Sequence, residues 1–180
     1  MKVSFITPPS LDKFKPAERT AGCTRVVYNM VNIYELTVAA LAEQEGYEVA
    51  YRNFVLEEAS PDQFFSFLEN DDSDVYLLWT VNLSIPTDIQ VERFIHAKRP
   101  ESICIFLGPG ATYFAKSLLG HPASVVVRGE PEDTVRELLR YISEGKDWRT
   151  IVGISFWNEN QVVENAPRPL IKNLDELPFP

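Results

Sequence analysis

SICIFLGPGATYFAKSLLGHPASVVVRGEPE, residues 102–132, decides the fold. Its apolar run Ile103–Leu107 has the length and composition of a strand buried on both faces. Gly108-Pro109-Gly110 breaks the run, and Ala111, Phe114, Ala115 and Leu118 follow at helical spacing. Gly120 falls just past that helix, where a left-handed residue is expected. A second apolar run, Val125–Val127, leads through Arg128-Gly129-Glu130-Pro131 into another amphipathic helix. Strand, glycine turn and helix in this order leave backbone N–H groups beside a crevice that suits the polar groups of a bound cofactor. On the turn alone the plainer reading is the stronger, because glycines make short strand-to-helix turns in any α/β protein.

The same alternation extends outward. Val3–Ile6 reads as a first strand ended by Thr7-Pro8-Pro9, since prolines supply no ladder hydrogen bonds. Residues 10–32 show no periodicity, and a connection that long reads as a binding loop or flap, carrying Arg19, Thr20, Gly22, Cys23, Thr24, Arg25 and Tyr28. Ile33–Glu45 is a helix with Ile33, Leu36, Ala40 and Leu41 on one face and Gly46 as its stop. Glu48–Tyr51 is a second strand, and Ser60-Pro61-Asp62-Gln63 has capping-box spacing ahead of the core residues Phe64, Phe67 and Leu68. Asp71-Asp72-Ser73-Asp74 reads as a solvated turn before the strand Val75–Trp79, and Thr80–Ser84 as a polar loop at that strand's end. Val91, Phe94 and Ile95 mark the next helix, and Val135, Leu138, Leu139 and Ile142 mark the last, which ends near Gly145.

Five strand–helix units imply a three-layer αβα sandwich around a five-stranded parallel sheet in the order 2-1-3-4-5. That order puts the topological switch between the first and third strands. A ligand is then expected at the strand carboxyl ends, against Thr7 and Pro8, the Thr80–Ser84 loop, and the Gly108–Thr112 turn. Residues 1–150 form this domain. Residues 151–166 read as a β-hairpin extension around Asn158-Glu159-Asn160, and residues 167–180 as a proline-rich linker toward something further.

Composition bounds the function. With 180 residues, 45% apolar content and a net charge of −9, the chain reads as a globular domain unsuited to nucleic acid or anionic membrane. No stretch approaches the roughly 20 apolar residues of a membrane span, and two distant cysteines fit a reduced, cytoplasmic setting. Phosphoacceptor chemistry is excluded, because Thr7-Pro8, Thr80 and Arg128 stand where its acidic residues and lysine belong. A dinucleotide fingerprint fails because the turn follows the fourth strand and Tyr113 occupies its third small position. His96, on a helix, and His121, in a turn, have no serine or cysteine partner indicated, so nucleophilic or acid–base catalysis is not expected.

The stretch LGPGATYFAKSLLGHPASVVVRGEPEDTVRELL resembles the glycine-turn and RGE segment of cobalamin-binding domains found ahead of radical S-adenosylmethionine domains. The tail GISFWNENQVVENAPRPLIKNLDELPFP is similar to the linker into those catalytic domains, and MKVSFITPP with EQEGYEVAYRN fits the same pattern. The resemblance implies a flavodoxin-like (Rossmann-like) fold with cobalamin over the strand carboxyl ends. The corrin and nucleotide tail would be held by Thr80, Asn82, Leu83 and Ser84, by Gly108, Pro109, Gly110, Ala111 and Thr112, and by Gly129 and Glu130. It also implies S-adenosylmethionine and a 4Fe-4S cluster in a separate C-terminal domain, so that this chain alone is no enzyme and the longer protein is.

Two departures from the pattern stand out. TPPSLDKF replaces the aspartate–x–histidine–x–x–glycine motif, so cobalamin would be held without a histidine on cobalt. The usual paired glycine is Gly108-Pro109-Gly110, which removes one backbone donor. The alternative is a degenerate module of the same fold that binds no corrin and serves substrate docking or domain interaction. A nucleotide-binding enzyme domain is a third option.

Overall fold

The structure, a computed structural model, describes residues 1–11 and 31–180, so the residues from Arg19 to Tyr28 assigned to a flap lie outside the described residues. Strands β1 (Lys2–Thr7), β2 (Glu48–Asn53), β3 (Val75–Trp79), β4 (Ile103–Leu107) and β5 (Ser124–Val127) alternate with five helices. These are α1 (Ile33–Gln44), α2 (Pro61–Asn70), α3 (Ile85–Lys98), α4 (Gly108–Leu118) and α5 (Glu132–Ser143). The first five strands are parallel and lie in the order β2-β1-β3-β4-β5, as their alternation with helices requires.

The sheet does not stop at five strands. β6 (Ile154–Asn158) and β7 (Gln161–Glu164) form the expected hairpin, and β6 adds antiparallel to β5, which makes one seven-stranded sheet. Ile154 and Phe156 supply the reason: opposite Val127 and Val125, they continue the apolar layer under α5. Glu159 and Asn160, at φ 44° and 70°, close the hairpin with the left-handed pair that suits the twist of two strands.

Both sheet faces are apolar, as the uninterrupted strand runs demand. Val75, Leu77 and Trp79 of β3 face α1 and α5, while Tyr76 and Leu78 face α2, α3 and α4. Each face buries a continuous cluster, so the sheet is held from both sides.

Three local expectations need correction. Helix α4 begins at Gly108, so the glycine turn is the helix's own first turn; Pro109 suits this because its fixed φ is already helical and an N–H there would lack a helical partner. Gly120 is not left-handed, since α4 ends in an extended and buried Leu119, whereas Gly108 takes φ 88°. The buried face of α1 is Glu35, Val38, Ala39, Leu41 and Ala42, with Ile33 exposed. The capping box at Ser60 is present: Gln63 N donates to Ser60 Oγ at 3.2 Å and Ser60 N to Gln63 Oε1 at 2.8 Å.

Candidate functional site

The expected ligand edge is built from four strand ends. At β1, Thr7 Oγ1 donates to Glu35 Oε2 at 3.0 Å, and Tyr51 of β2 donates its phenol to the same oxygen at 2.9 Å. Burial and the neighbouring Glu35 carboxylate push the Tyr51 pKa up, which keeps Tyr51 a donor. Glu35 is therefore turned inward on the first turn of α1, and Pro8 is buried beside this corner. Helical periodicity gave no reason to bury an acid there; the signal was two hydroxyl-bearing strand residues, Thr7 and Tyr51, paired through neighbouring strands.

Tyr34, one residue earlier, stacks on Trp79 at the end of β3, with ring centroids 5.7 Å apart and planes 10° from parallel. Trp79 in turn lies against Gly108, where an added Cβ would come within 2.8 Å of the indole. A side chain there would clash and would also be strained at φ 88°. The aromatic pair thus joins the start of α1 to the ends of β3 and β4.

The loops after β3 and β4 are locked together. Thr80 N donates to Leu107 O at 2.7 Å, and Gly110 N donates to Thr80 O at 2.9 Å. A Cβ on Gly110 would sit 2.6 Å from the Val81 carbonyl carbon, so only glycine lets α4 approach this loop. Asn82–Ser84 form a single 3-10 turn, in which Ser84 Oγ accepts from Val81 N at 3.0 Å and donates to Asp88 Oδ2 at 2.8 Å. Asn82 and Leu83 face solvent from that turn.

A last bridge reaches β5. Thr112 Oγ1 donates to Gly108 O and accepts from Gly129 N, both at 3.1 Å. Gly129 adopts φ 80° to make that contact. Glu130 points elsewhere, and its Oε2 accepts from Ile171 N of the tail at 2.7 Å. The Gly110 and Gly129 N–H groups, expected to serve a ligand, are thus committed inside the protein.

What the edge leaves over is chemically distinct. Thr80 is fully buried, and its Oγ1 has no hydrogen-bond partner among the described residues, a costly state for a hydroxyl at a strand end. Around it the rim exposes Leu83 (68%), Tyr113 (81%) and Phe114 (41%), with Ile33 and Tyr34 from the start of α1. Phe114 sits at a kink in α4, with φ −122° and ψ 31°. Such a rim suits a broad, largely apolar ligand or surface that also carries hydrogen-bonding groups.

The histidines lie at the opposite edge. Ser124, the first residue of β5, donates to Glu92 Oε1 at 2.6 Å, and so accepts from His96 Nε2 at 3.0 Å. His121 stacks on His96 at 3.7 Å. Burial, then the neighbouring His121, lowers the His96 pKa to about 4, while burial raises that of Glu92. The sequence reading found no serine for His96; their separation of 28 residues is closed only by the fold. Because the Ser124 proton goes to Glu92, the histidine is not placed to remove it, and the trio is a structural network. Among the described residues no group of His, Cys, Asp and Glu is arranged to hold a metal ion, and no described helix is long and apolar enough to cross a membrane.

No family model matches the chain. The whole chain aligns at 25% identity, over 187 residues, with PH0819 of Pyrococcus horikoshii, an uncharacterized methyltransferase, and covers 38% of its length. A 92-residue stretch, half of this chain, is 29% identical to 18% of an anaerobic magnesium-protoporphyrin IX monomethyl ester cyclase of Synechocystis. The chain therefore spans little more than a third of one relative and under a fifth of the other.

Among solved structures, the radical S-adenosylmethionine methyltransferase TsrM of Kitasatospora setae, with cobalamin and a 4Fe-4S cluster bound, matches at a TM-score of 0.68 and 17% identity over 99% of this chain and 31% of its own. The cobalamin-dependent S-adenosylmethionine radical enzyme OxsB, with aqua-cobalamin and S-adenosylmethionine bound, matches at 0.69 and 15% identity over 94% of this chain and 22% of its own. The likeness read from the sequence holds for the fold: this chain is built like one part of two radical S-adenosylmethionine enzymes, both solved with cobalamin bound.

Proposed function

We propose that the chain is a cobalamin-binding accessory module of a radical S-adenosylmethionine protein, holding the cofactor across the carboxyl ends of β1, β3, β4 and β5. The observation that carries this reading is the buried Thr80 Oγ1, without a hydrogen-bond partner among the described residues, on a rim of exposed Leu83, Tyr113 and Phe114. A corrin has an apolar macrocycle edged with amide side chains, and this donor set fits it. Thr80 Oγ1 and the exposed Asn82 would meet amides, while Leu83, Tyr113 and Phe114 would cover the ring edge and exclude water. Gly108, Pro109, Gly110, Ala111 and Thr112 would shape the floor. Gly108 and Gly110 act by keeping Trp79 and Val81 close, not by donating to the ligand.

Both histidines of the sequence sit at the amino edge, one of them against Ser124, which supports a cobalt held without histidine ligation. Bound cobalamin would supply a cobalt centre able to carry a one-carbon group. The chain's own residues would bind it, orient it and keep its outward face toward a neighbouring domain. That domain, reached through residues 167–180, would hold the S-adenosylmethionine and the 4Fe-4S cluster, and the longer protein would be a methyltransferase or related radical enzyme. The lengths of PH0819, TsrM and OxsB leave room for one.

Equilibrium dialysis against hydroxocobalamin, followed by its visible spectrum, tests the reading. Saturable uptake of one cobalamin per chain is expected, and no uptake at high micromolar concentration contradicts it. The second reading, a module of this fold that docks a protein surface, is favoured by the same exposed apolar side chains. It would show as absent uptake together with a domain interaction abolished by Leu83→Asp.

A further inference from the structure

The turn Arg128-Gly129-Glu130 joins two systems that otherwise lie apart. On one side Gly129 N donates to Thr112 Oγ1, whose hydroxyl proton goes to Gly108 O in the first turn of α4. On the other side the turn grips the start of β6 and the chain that leaves β7. Arg128 Nη2 donates to Ile154 O at 3.1 Å and to Asn165 O, and Arg128 N donates to Gly153 O at 2.8 Å. Glu130 Oε2 receives Ile171 N at 2.7 Å.

Residues 165–171 carry further ties to the same corner. Asn165 Nδ2 donates to Arg149 O at 2.8 Å and to Ile151 O at 2.6 Å. Gly153 N donates to Ala166 O at 2.7 Å, and Arg168 pairs with Glu137 of α5. Beyond Ile171, among the described residues, the hydrogen bonds of the tail are local: Asn173 with Asp175 and Glu176, and Leu177 with Leu174. Among the described residues Ile171 is thus the last of the tail hydrogen-bonded to the body of the fold, and a single carboxylate makes the tie.

We propose that this turn couples the carboxyl edge to the departing chain, with Thr112 and Glu130 as its positioning residues. The coupling half rests on the cobalamin reading above. Gly129 at φ 80° holds one geometry in which its N–H meets Thr112 while Glu130 meets Ile171. A ligand seated over Gly108–Thr112 orders that first turn of α4, and so favours the geometry in which the tail is gripped. Linkage then runs both ways: whatever factor the ligand adds to tail ordering, tail ordering adds to ligand affinity. The turn would thereby set where the next segment starts when the site is filled.

Amide exchange at Ile171, read by NMR on the whole chain, tests both halves. Without ligand, Glu130→Ala is expected to speed Ile171 exchange about fivefold, as loss of one hydrogen bond predicts, and Glu130→Gln to restore most of the protection. At saturating hydroxocobalamin, confirmed by the visible spectrum, Ile171 exchange is expected to slow in the wild type and in Thr112→Ser but not in Thr112→Val. Unchanged exchange in Glu130→Ala overturns the grip, and unchanged exchange in spectroscopically saturated wild type overturns the coupling alone. Absence of any spectral sign of cobalamin binding overturns the cofactor reading, and the coupling with it.

Discussion

The two edges of the sheet are built from similar residue types and used in opposite ways. At the amino edge, hydroxyls and acids answer one another. Ser4 Oγ meets Ser73 Oγ at 2.8 Å and donates to Asp71 Oδ2 at 3.3 Å, Ser102 Oγ donates to Ser73 O at 2.9 Å, and Lys2 Nζ lies 3.2 Å from Asp71 Oδ1. Glu92, Ser124 and His96 close the β5 corner in the same manner. At the carboxyl edge the β1 corner closes in the same way, through Thr7, Glu35 and Tyr51, and the loop after β3 does so through Ser84 and Asp88. The β3 and β4 corners also carry a buried hydroxyl with no hydrogen-bond partner among the described residues, two crowded glycines and exposed apolar side chains. Polar groups that satisfy each other stabilise the fold; a buried hydroxyl left over beneath an exposed apolar rim marks where something else is to be met.

The contrast is most sharply broken at Gly110. Alanine there would press a methyl group into the Val81 backbone, which cannot swing aside as a flexible side chain could. Gly110→Ala is expected to cost about 3 kcal/mol, at the upper end for overpacking, and to lower the melting temperature by roughly 10 °C in calorimetry. A melting temperature within a degree of wild type would show that the two loops are not locked.

Next in size is the acid response of the amino edge. The folded-state pKa of His96 is lowered from 6.5 to about 4, so the native state binds fewer protons there than the unfolded chain. The stability His96 contributes is therefore complete above pH 6.5 and lost as pH falls toward 4, by on the order of 3 kcal/mol. Glu92 opposes this in part, because burial raises its pKa and its contribution fades as pH rises. Urea unfolding at pH 7, 5.5 and 4.5 should show a steep decline for wild type and a shallower one for His96→Gln. Parallel declines would remove His96 as the cause.

A smaller effect falls at Asp71. Its burial acts to raise its pKa, yet contacts with Tyr76, Ser73 and Lys2 outweigh that and hold it below the usual aspartate value. Its stabilisation is complete above about pH 4 and is lost progressively as pH falls from there through the lowered folded-state value, a window more acid than that of His96. Asp71→Asn is expected to cost about 2 kcal/mol at pH 7, measured by denaturant unfolding, and less at pH 3. An equal loss at both pH values would mean that its charge plays no part.

Most of the fold was legible in the sequence because strand runs and helix periodicity report burial directly. The order of β1 to β5 and the capping box at Ser60 followed from pattern alone. What pattern missed were residues whose burial depends on a partner far along the chain. Glu35 turns inward only because Thr7 and Tyr51 await it, Asp71 and Ser73 left the expected solvated turn for Ser4 and Lys2, and Ser124 meets His96 across 28 residues. The glycine turn was found for the right geometry and a different reason. Gly108 and Gly110 make room for Trp79 and Val81, whereas the sequence suggested free donors.

Thr80→Val tests the central claim most directly, because valine keeps the shape of threonine and removes only the unpartnered hydroxyl. Calorimetry and hydroxocobalamin titration of both proteins are to be read together. If the hydroxyl is there for the ligand, the variant should be as stable as wild type, or more stable by up to about 1 kcal/mol, and bind cobalamin about fivefold more weakly. A variant that binds as well as wild type, or a wild type that takes up no cobalamin, would contradict the account.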